Sequence, residues 1–471
     1  MEFEPVIGLE VHIQLNTLSK IFCNCSTKFG ERPNSNVCPV CLGLPGVLPV
    51  LNKEVLRKAI LASLALNCSI SNFSKFDRKH YFYPDLPKNY QISQYDLPLA
   101  KNGYIIVNNK KIRIKRVHME EDAGKLIHSE DSPYSYVDFN RTGVPLIEIV
   151  TEPDINSPSE AYMFLNILKN RMKYIEVSDC NMEEGSLRCD ANISVRVKGS
   201  DKLGVKTEIK NMNSFRAVEK ALEYEFKRQV ELIKSNQKIE QETRLWDSIN
   251  EITISMRSKE EAHDYRYFPE PDLPPIIVEK DFIEKLKETL PEMPDEKFKR
   301  YVEDLNIPPA NAEILITDKI MASFFENCCA IYNNYKSISN WIISEIIQYL
   351  NKNKIEFIEL KNLKPENFVE LVKLVDEGRI TSRVAKDISV KVIEEGISPL
   401  KLVSEKGLTQ LSDAKEIEKL VDEVINTELD AVKKYKEGKK NILSYLVGQV
   451  MKKSKGRANP KLVAELFEKK L

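Results

Sequence analysis

From Ile7 to Leu15 the chain reads Ile-Gly-Leu-Glu-Val-His-Ile-Gln-Leu, alternating apolar and polar residues with little interruption. Successive side chains of a strand leave opposite faces, so this pattern commits the segment to a half-buried β-strand. Leu9, Val11, Ile13 and Leu15 then enter a core, while Glu10, His12 and Gln14 share the opposite face. A face of that kind is either a solvated surface or one wall of a site.

Other stretches repeat the pattern. Leu187, Cys189, Ala191 and Ile193 alternate with Arg188, Asp190, Asn192 and Ser194. Lys206, Glu208 and Lys210 fall on one side of another strand candidate, and "VHMEEDAGK" supplies His118, Glu120, Glu121, Asp122 and Lys125. Glu148 stands among Leu146, Ile147, Ile149 and Val150. A carboxylate in such a run is costly unless paired or metal-bound. If these strands share one sheet, their polar faces make a concave wall of carboxylates with Arg188, Lys206 and Lys210. Oxygen ligands suit Mg²⁺, and the cations suit phosphates. His12 is an unusual Mg²⁺ ligand; it also suits Mn²⁺ or a contact with substrate. Alternation turns Cys189 to the apolar side, so no nucleophile is evident, and the chain has neither a P-loop nor a G-x-S-x-G elbow.

Most strand candidates follow one another without an intervening helix, which predicts an α+β fold with an antiparallel sheet. Helical spacing occupies 51–67, 158–175 and 214–236. A proline-rich segment at 268–298 closes this region, and helical periodicity takes over, with Gly378 and Gly396 as expected helix stops. The 471 residues exceed one core. The expected division is an α+β domain at 1–290 that carries a zinc-binding insertion, a helical domain at 291–405 and a basic helical tail at 406–471. In the tail, Asp413 with Glu416 suggests a capping box, and Asn459 caps a helix opened by Pro460.

The net charge of −1 disfavours a general polyanion binder, but the ends differ. Residues 431–471 carry twelve Lys/Arg against three Asp/Glu. A basic stripe suits nucleic acid, and Gly456 in "KKSKGRANP" could let backbone approach a phosphate. Cys23, Cys25, Cys38 and Cys41, spaced C-x-C-x12-C-x2-C, suit a structural zinc with all four positions taken by thiolates. The other five cysteines read as small core residues. No apolar run approaches the roughly 18 residues that span a membrane. The acidic start "MEFEPVIG" does not read as a signal peptide, so a cytoplasmic location is expected.

Several longer motifs, among them "VIGLEVHIQL", "HMEEDAGK", "RTGVPLIEIVTEPD", "MEEGSLRCDANIS", "DYRYFPEPDLPP" and "LVGQVMKKSKGRANP", resemble the GatB/GatE family, the B subunit of the bacterial tRNA-dependent amidotransferases. The resemblance runs from the first strand to the last helix. It implies a cradle related to glutamine synthetase-like enzymes, then a helical domain and a tail. It implies an ATP-dependent carbon–nitrogen ligase that takes glutamine as amido donor and works on misacylated Glu-tRNA(Gln), and on Asp-tRNA(Asn). The A subunit, an amidase, would release ammonia from glutamine, and the small C subunit would clamp A and B together. Neither membrane nor DNA is an expected partner. ATP, Mg²⁺ and structural zinc are the implied cofactors.

The family's metal and kinase site maps to Glu10, His12, Glu121 and Glu148, with Asp190 and Glu208 close by. Arg188, Lys206 and Lys210 are assigned to the nucleotide's phosphates from charge and strand face. The tail is expected to contact the outer corner of the tRNA. Two other readings use the same residues: a metal-dependent phosphoester hydrolase, and a tRNA-binding scaffold without catalysis.

Overall fold

The alternating segment forms strand β1 (Phe3–Gln14) at the centre of a sheet. The computed structural model describes residues 2–128, 133–258, 264–406, 414–454 and 456–471. Among these residues the sheet has eight further strands: β2 (Ser69–Ile70), β3 (Ala100–Val107), β4 (Lys110–Glu121), β5 (Pro145–Thr151), β6 (Leu187–Val197), β7 (Thr207–Lys210), β8 (Glu242–Asp247) and β9 (Ile252–Ser258). Their order across the sheet is β9-β8-β7-β6-β1-β5-β4-β3-β2. β1 pairs antiparallel with β5 on one side and β6 on the other. The expected antiparallel character holds with one exception, since β7 and β8 run parallel. A helix separates them in the chain, and parallel neighbours need such a crossover.

Three helices cover the apolar face: α1 (Lys53–Ala65), α2 (Pro158–Tyr174) and α3 (Phe215–Lys234). Each starts where a short polar side chain satisfies a free backbone N–H. Asn52 accepts from Glu54, Ser157 from Glu160 and Ser214 from Ala217. Leu9, Val11 and Ile13 pack with Ile147, Ile149, Cys189, Ala191 and Ile193 and with Phe164, Leu168, Val218 and Leu222 in one buried cluster. That face is filled, so the sheet's opposite face carries the polar side chains.

The described residues divide into two compact units, Met1–Pro294 and Asp295–Leu471. The second is helical and holds two separate apolar clusters, one between Tyr301 and Val403 and one between Ile417 and Phe467. Gly378 and Gly396 adopt φ of 69° and 64° just past helices Pro365–Asp376 and Ser382–Glu395, as expected. A Cβ at Gly396 would meet the Asn362 carbonyl at 2.5 Å. Asn459 caps helix Pro460–Lys470 by accepting from Lys461 and Leu462. Asp413 lies outside the described residues. Gly456 differs from its expectation: it is buried, and its carbonyl accepts from the Thr381 hydroxyl at 2.6 Å. Its φ of 78° serves this internal turn and not an open backbone surface.

Candidate active site

Strand register sets the site. His12 lies opposite Glu148 on β5 and Arg188 on β6, and Glu148 lies opposite His118 on β4. One row across four strands therefore reads His118, Glu148, His12, Arg188. In the next row Glu10 faces Asp190. Glu120 stands two residues beyond His118 on the same face.

The side chains converge. His12 Nε2 lies 3.4 Å from Glu120 Oε1 and 3.4 Å from Glu148 Oε2. His118 Nε2 lies 3.5 Å from Glu120 Oε2 and 3.4 Å from Glu148 Oε2. Ser93 donates to Glu120 at 3.2 Å, and Arg116 reaches Glu148 at 3.3 Å. Ligand atoms of Glu10, His12 and Glu148 lie within 4.8 Å of one another, and so do those of His118, Glu120 and Glu148. His118 Nδ1 is buried and has no hydrogen-bond partner.

Burial opposes charge on His12, yet the Glu148, Glu120 and Glu10 carboxylates outweigh it and push its pKa up to about 9. Glu148 moves the other way. Its burial is overcome by His118, His12 and Arg116, which hold it below the usual carboxylate range. Burial raises Glu10, and the charges of Glu148 and Asp190 add to that. The site is thus three carboxylates, Glu10, Glu120 and Glu148, gathered around two imidazoles and one guanidinium. Oxygen-rich clusters of this kind suit a hard divalent ion.

Glu121 does not join this cluster. Its buried carboxylate is held by Lys88 and accepts from the Ile92 N–H at 2.9 Å. The residue in its place is Glu120. The cause is a β-bulge in β4, where the register against β5 shifts between Val150 and Thr151. Before the shift Ile112 and Ile114 face the core; after it Val117 and Met119 do. Parity carried from the strand's start selects Glu121, and the bulge reverses it.

Asp190 and Glu208 do not reach His12 either; both bind Lys210. Glu208 also accepts from the Thr243 hydroxyl at 2.9 Å. Lys206 is exposed, one residue ahead of β7. Arg188 donates to Asp122 at 3.0 Å, and Asp122 also accepts from Gln14 at 2.9 Å. A cleft of about 530 Å³ opens beside Gln14, Arg141, Arg188 and Asp190. His118 and Asp122 were legible in "VHMEED" as polar residues, but their partners emerge only from the register.

Sulfur atoms of Cys23, Cys25, Cys38 and Cys41 lie within 4.8 Å of one another. A tetrahedron of thiolates around zinc, with Zn–S near ~2.3 Å, places sulfurs roughly 3.8 Å apart, so the set fits a zinc ion. The Cys38 N–H donates to Cys41 Sγ at 3.2 Å, and the fully buried Lys20 places Nζ 3.6 Å from the same sulfur. A bond from Cys23, with that N–H and Lys20, draws the Cys41 thiol down to about 4. The remaining cysteines are buried, except the half-buried Cys329.

Comparison with known proteins agrees with this architecture. Residues 5–284 match the GatB/GatE catalytic domain and residues 323–471 match the GatB domain. The chain is 54% identical to the B subunit of the aspartyl/glutamyl-tRNA(Asn/Gln) amidotransferase of Carboxydothermus hydrogenoformans, covering 100% of this chain and 99% of that protein. The B subunits from Persephonella marina and Caldanaerobacter subterraneus are 55% and 54% identical, each match covering 100% of both chains. With both domains in place and this identity sustained end to end, the chain belongs to the GatB/GatE family.

Proposed function

We propose that this chain is the carboxylate-activating, tRNA-binding member of a glutamine-dependent amidotransferase acting in the cytoplasm. Its substrate is a misacylated tRNA, Glu-tRNA(Gln) and Asp-tRNA(Asn). Its partners are the A and C subunits, the former an amidase and the latter a small clamp. The observation that carries the chemistry is the single sheet face on which Glu10, His12, Glu120 and Glu148 converge.

A carboxylate resists attack by ammonia because its negative charge repels the nucleophile and it has no leaving group. Transfer of the ATP γ-phosphoryl group to the side-chain carboxylate forms a P–O bond there and releases ADP. Ammonia then attacks the acyl carbon, the C–O bond breaks, and phosphate leaves with that oxygen. In-line transfer needs the reactants held together and the developing charge met by fixed cations. Glu10, His12, Glu120 and Glu148 would hold the divalent ion, with His118 fixing the two carboxylates nearest it. The chemistry a bound Mg²⁺ supplies is neutralisation of the nucleotide's phosphates.

Asp122 holds Arg188 at the cleft, where its remaining donors face an incoming anion. Lys210 is balanced by two carboxylates and sets the position of Asp190. In this reading zinc at the four cysteines is a structural staple, and the sheet is the counterpart of a glutamine synthetase-like cradle.

The test reconstitutes the chain with its A and C partners and supplies ATP labelled at the γ position. Release of label should require misacylated tRNA, and amide formation should require glutamine or ammonia. Label release with no acylated tRNA at the same rate would favour a phosphoester hydrolase. Undiminished amide formation after Glu10→Gln would favour a scaffold.

A further inference from the structure

Outside the carboxylate wall, Lys20 is a buried cation without an obvious counter-charge. It is fully buried, with 0% of its surface exposed. Burying an ammonium is costly unless an opposite charge meets it. Lys297, also buried, has that charge and pairs with Glu326 at 2.5 Å. Lys88, whose side chain is 8% exposed, pairs with Glu121. Among the described residues no carboxylate pairs with Lys20. Its ammonium reaches the Asn36 carbonyl at 2.7 Å, the Phe139 carbonyl at 3.4 Å and Cys41 Sγ at 3.6 Å. The two carbonyls are neutral, so of these partners only the sulfur can supply the missing charge.

Lys20 also stands where it can act on both cysteine pairs. Its backbone N–H donates to the Cys25 carbonyl at 3.0 Å, within the bend that presents Cys23 and Cys25. Its side chain then crosses to the second bend, at Asn36 and Cys41. Four thiolates around one divalent zinc ion leave an excess of about two negative charges. The Cys38 N–H, at 3.2 Å from Cys41 Sγ, offers that excess a partial positive charge, and Lys20 offers a whole one.

We infer that Lys20 is the counter-charge of the four-cysteine metal set: it stabilises the fold only while a metal ion gathers the thiolates, and it fixes how tightly that ion is held. The inference rests on the zinc reading above and not on the amidotransferase chemistry, so its test needs no turnover.

The experiment uses the full-length chain with zinc as the only ligand, titrated against a chromogenic chelator. Lys20→Met keeps the stem and removes the charge. It should bind zinc about ten- to a hundredfold more weakly, the scale of losing a partner of a metal ligand. Its zinc-loaded form should melt below the unmodified chain. Its metal-free form should melt no lower, because a buried ammonium with no counter-charge is itself a cost. With cobalt(II) in place of zinc, the sulfur-to-metal charge-transfer band of the variant should move to longer wavelength, since a thiolate relieved of a cationic donor gives up its electrons more readily. Lys20→Arg, which keeps the charge, should hold zinc more tightly than Lys20→Gln, which keeps a donor without it.

Unchanged zinc affinity in Lys20→Met overturns the inference. So does an equal loss of melting temperature with and without metal, or a variant that folds in neither state, because the carbonyl bonds would then be the role of Lys20. A Gln variant that holds zinc as tightly as the Arg variant overturns it as well. An unmodified chain that takes up no zinc would condemn the zinc reading itself, and the inference with it.

Discussion

At the scale of single residues, His12 sits between Glu120 and Glu148, which are both buried, at 3.4 Å from each. Substituting Glu148→Gln or Glu120→Gln keeps shape and removes charge. Amide formation should then fall by about two orders of magnitude, the scale of removing one preorganised charge interaction. Glutamine hydrolysis by the amidase should change far less. Glu121→Gln is the informative control. It strands the buried Lys88 ammonium, so the melting temperature should drop in keeping with the roughly 3–5 kcal/mol cost of breaking a buried pair. Steady-state rates beside melting curves for all three variants check this. A Glu121 variant as inactive as the Glu148 variant but unchanged in stability would reverse the assignment of the two glutamates.

At the scale of elements, the four-cysteine set brings two short loops together, and one of its sulfurs, Cys41 Sγ, accepts from the Cys38 N–H and lies 3.6 Å from Lys20 Nζ. Metal analysis of chain prepared without chelator should find about one zinc per molecule, because four thiolates saturate one tetrahedral ion. Cys38→Ser should lose that metal and lower the melting temperature, since structural zinc contributes folding free energy directly. Zinc content unchanged by Cys38→Ser would remove Cys38 from the ligand set. The elements themselves were readable where local chemistry decides them. Alternation marked β1 and β6, Asn459 with Pro460 marked a helix start, and Gly378 and Gly396 marked helix ends. Two features were not readable because they depend on distant pairing. The bulge in β4 moves Glu120 into the site, and the parallel pairing of β7 with β8 follows from where α3 returns the chain.

At the scale of the whole molecule, charge is segregated by position in the chain. Lys433, Lys434, Lys436, Lys439 and Lys440 are exposed, whereas Lys453 pairs with Glu423 and Lys470 with Glu418 and Asp422. Replacing the five exposed lysines by Gln should raise the KM for tRNA about tenfold and leave kcat nearly unchanged. It should also lower the salt slope of log affinity by roughly 0.7–0.9 for each phosphate no longer neutralised. Steady-state kinetics across a salt series measures both, and an unchanged slope would make these lysines a solvated helix face. In the proposed function, the carboxylate wall of the first unit activates a substrate carboxylate by phosphorylation. It is tested most directly with misacylated tRNA whose side-chain carboxylate carries ¹⁸O at both oxygens. If the carboxylate oxygen is phosphorylated and ammonia then displaces it, each phosphate released during amide formation carries one ¹⁸O from the amino acid. Phosphate free of that label, formed in step with the amide, would contradict the account.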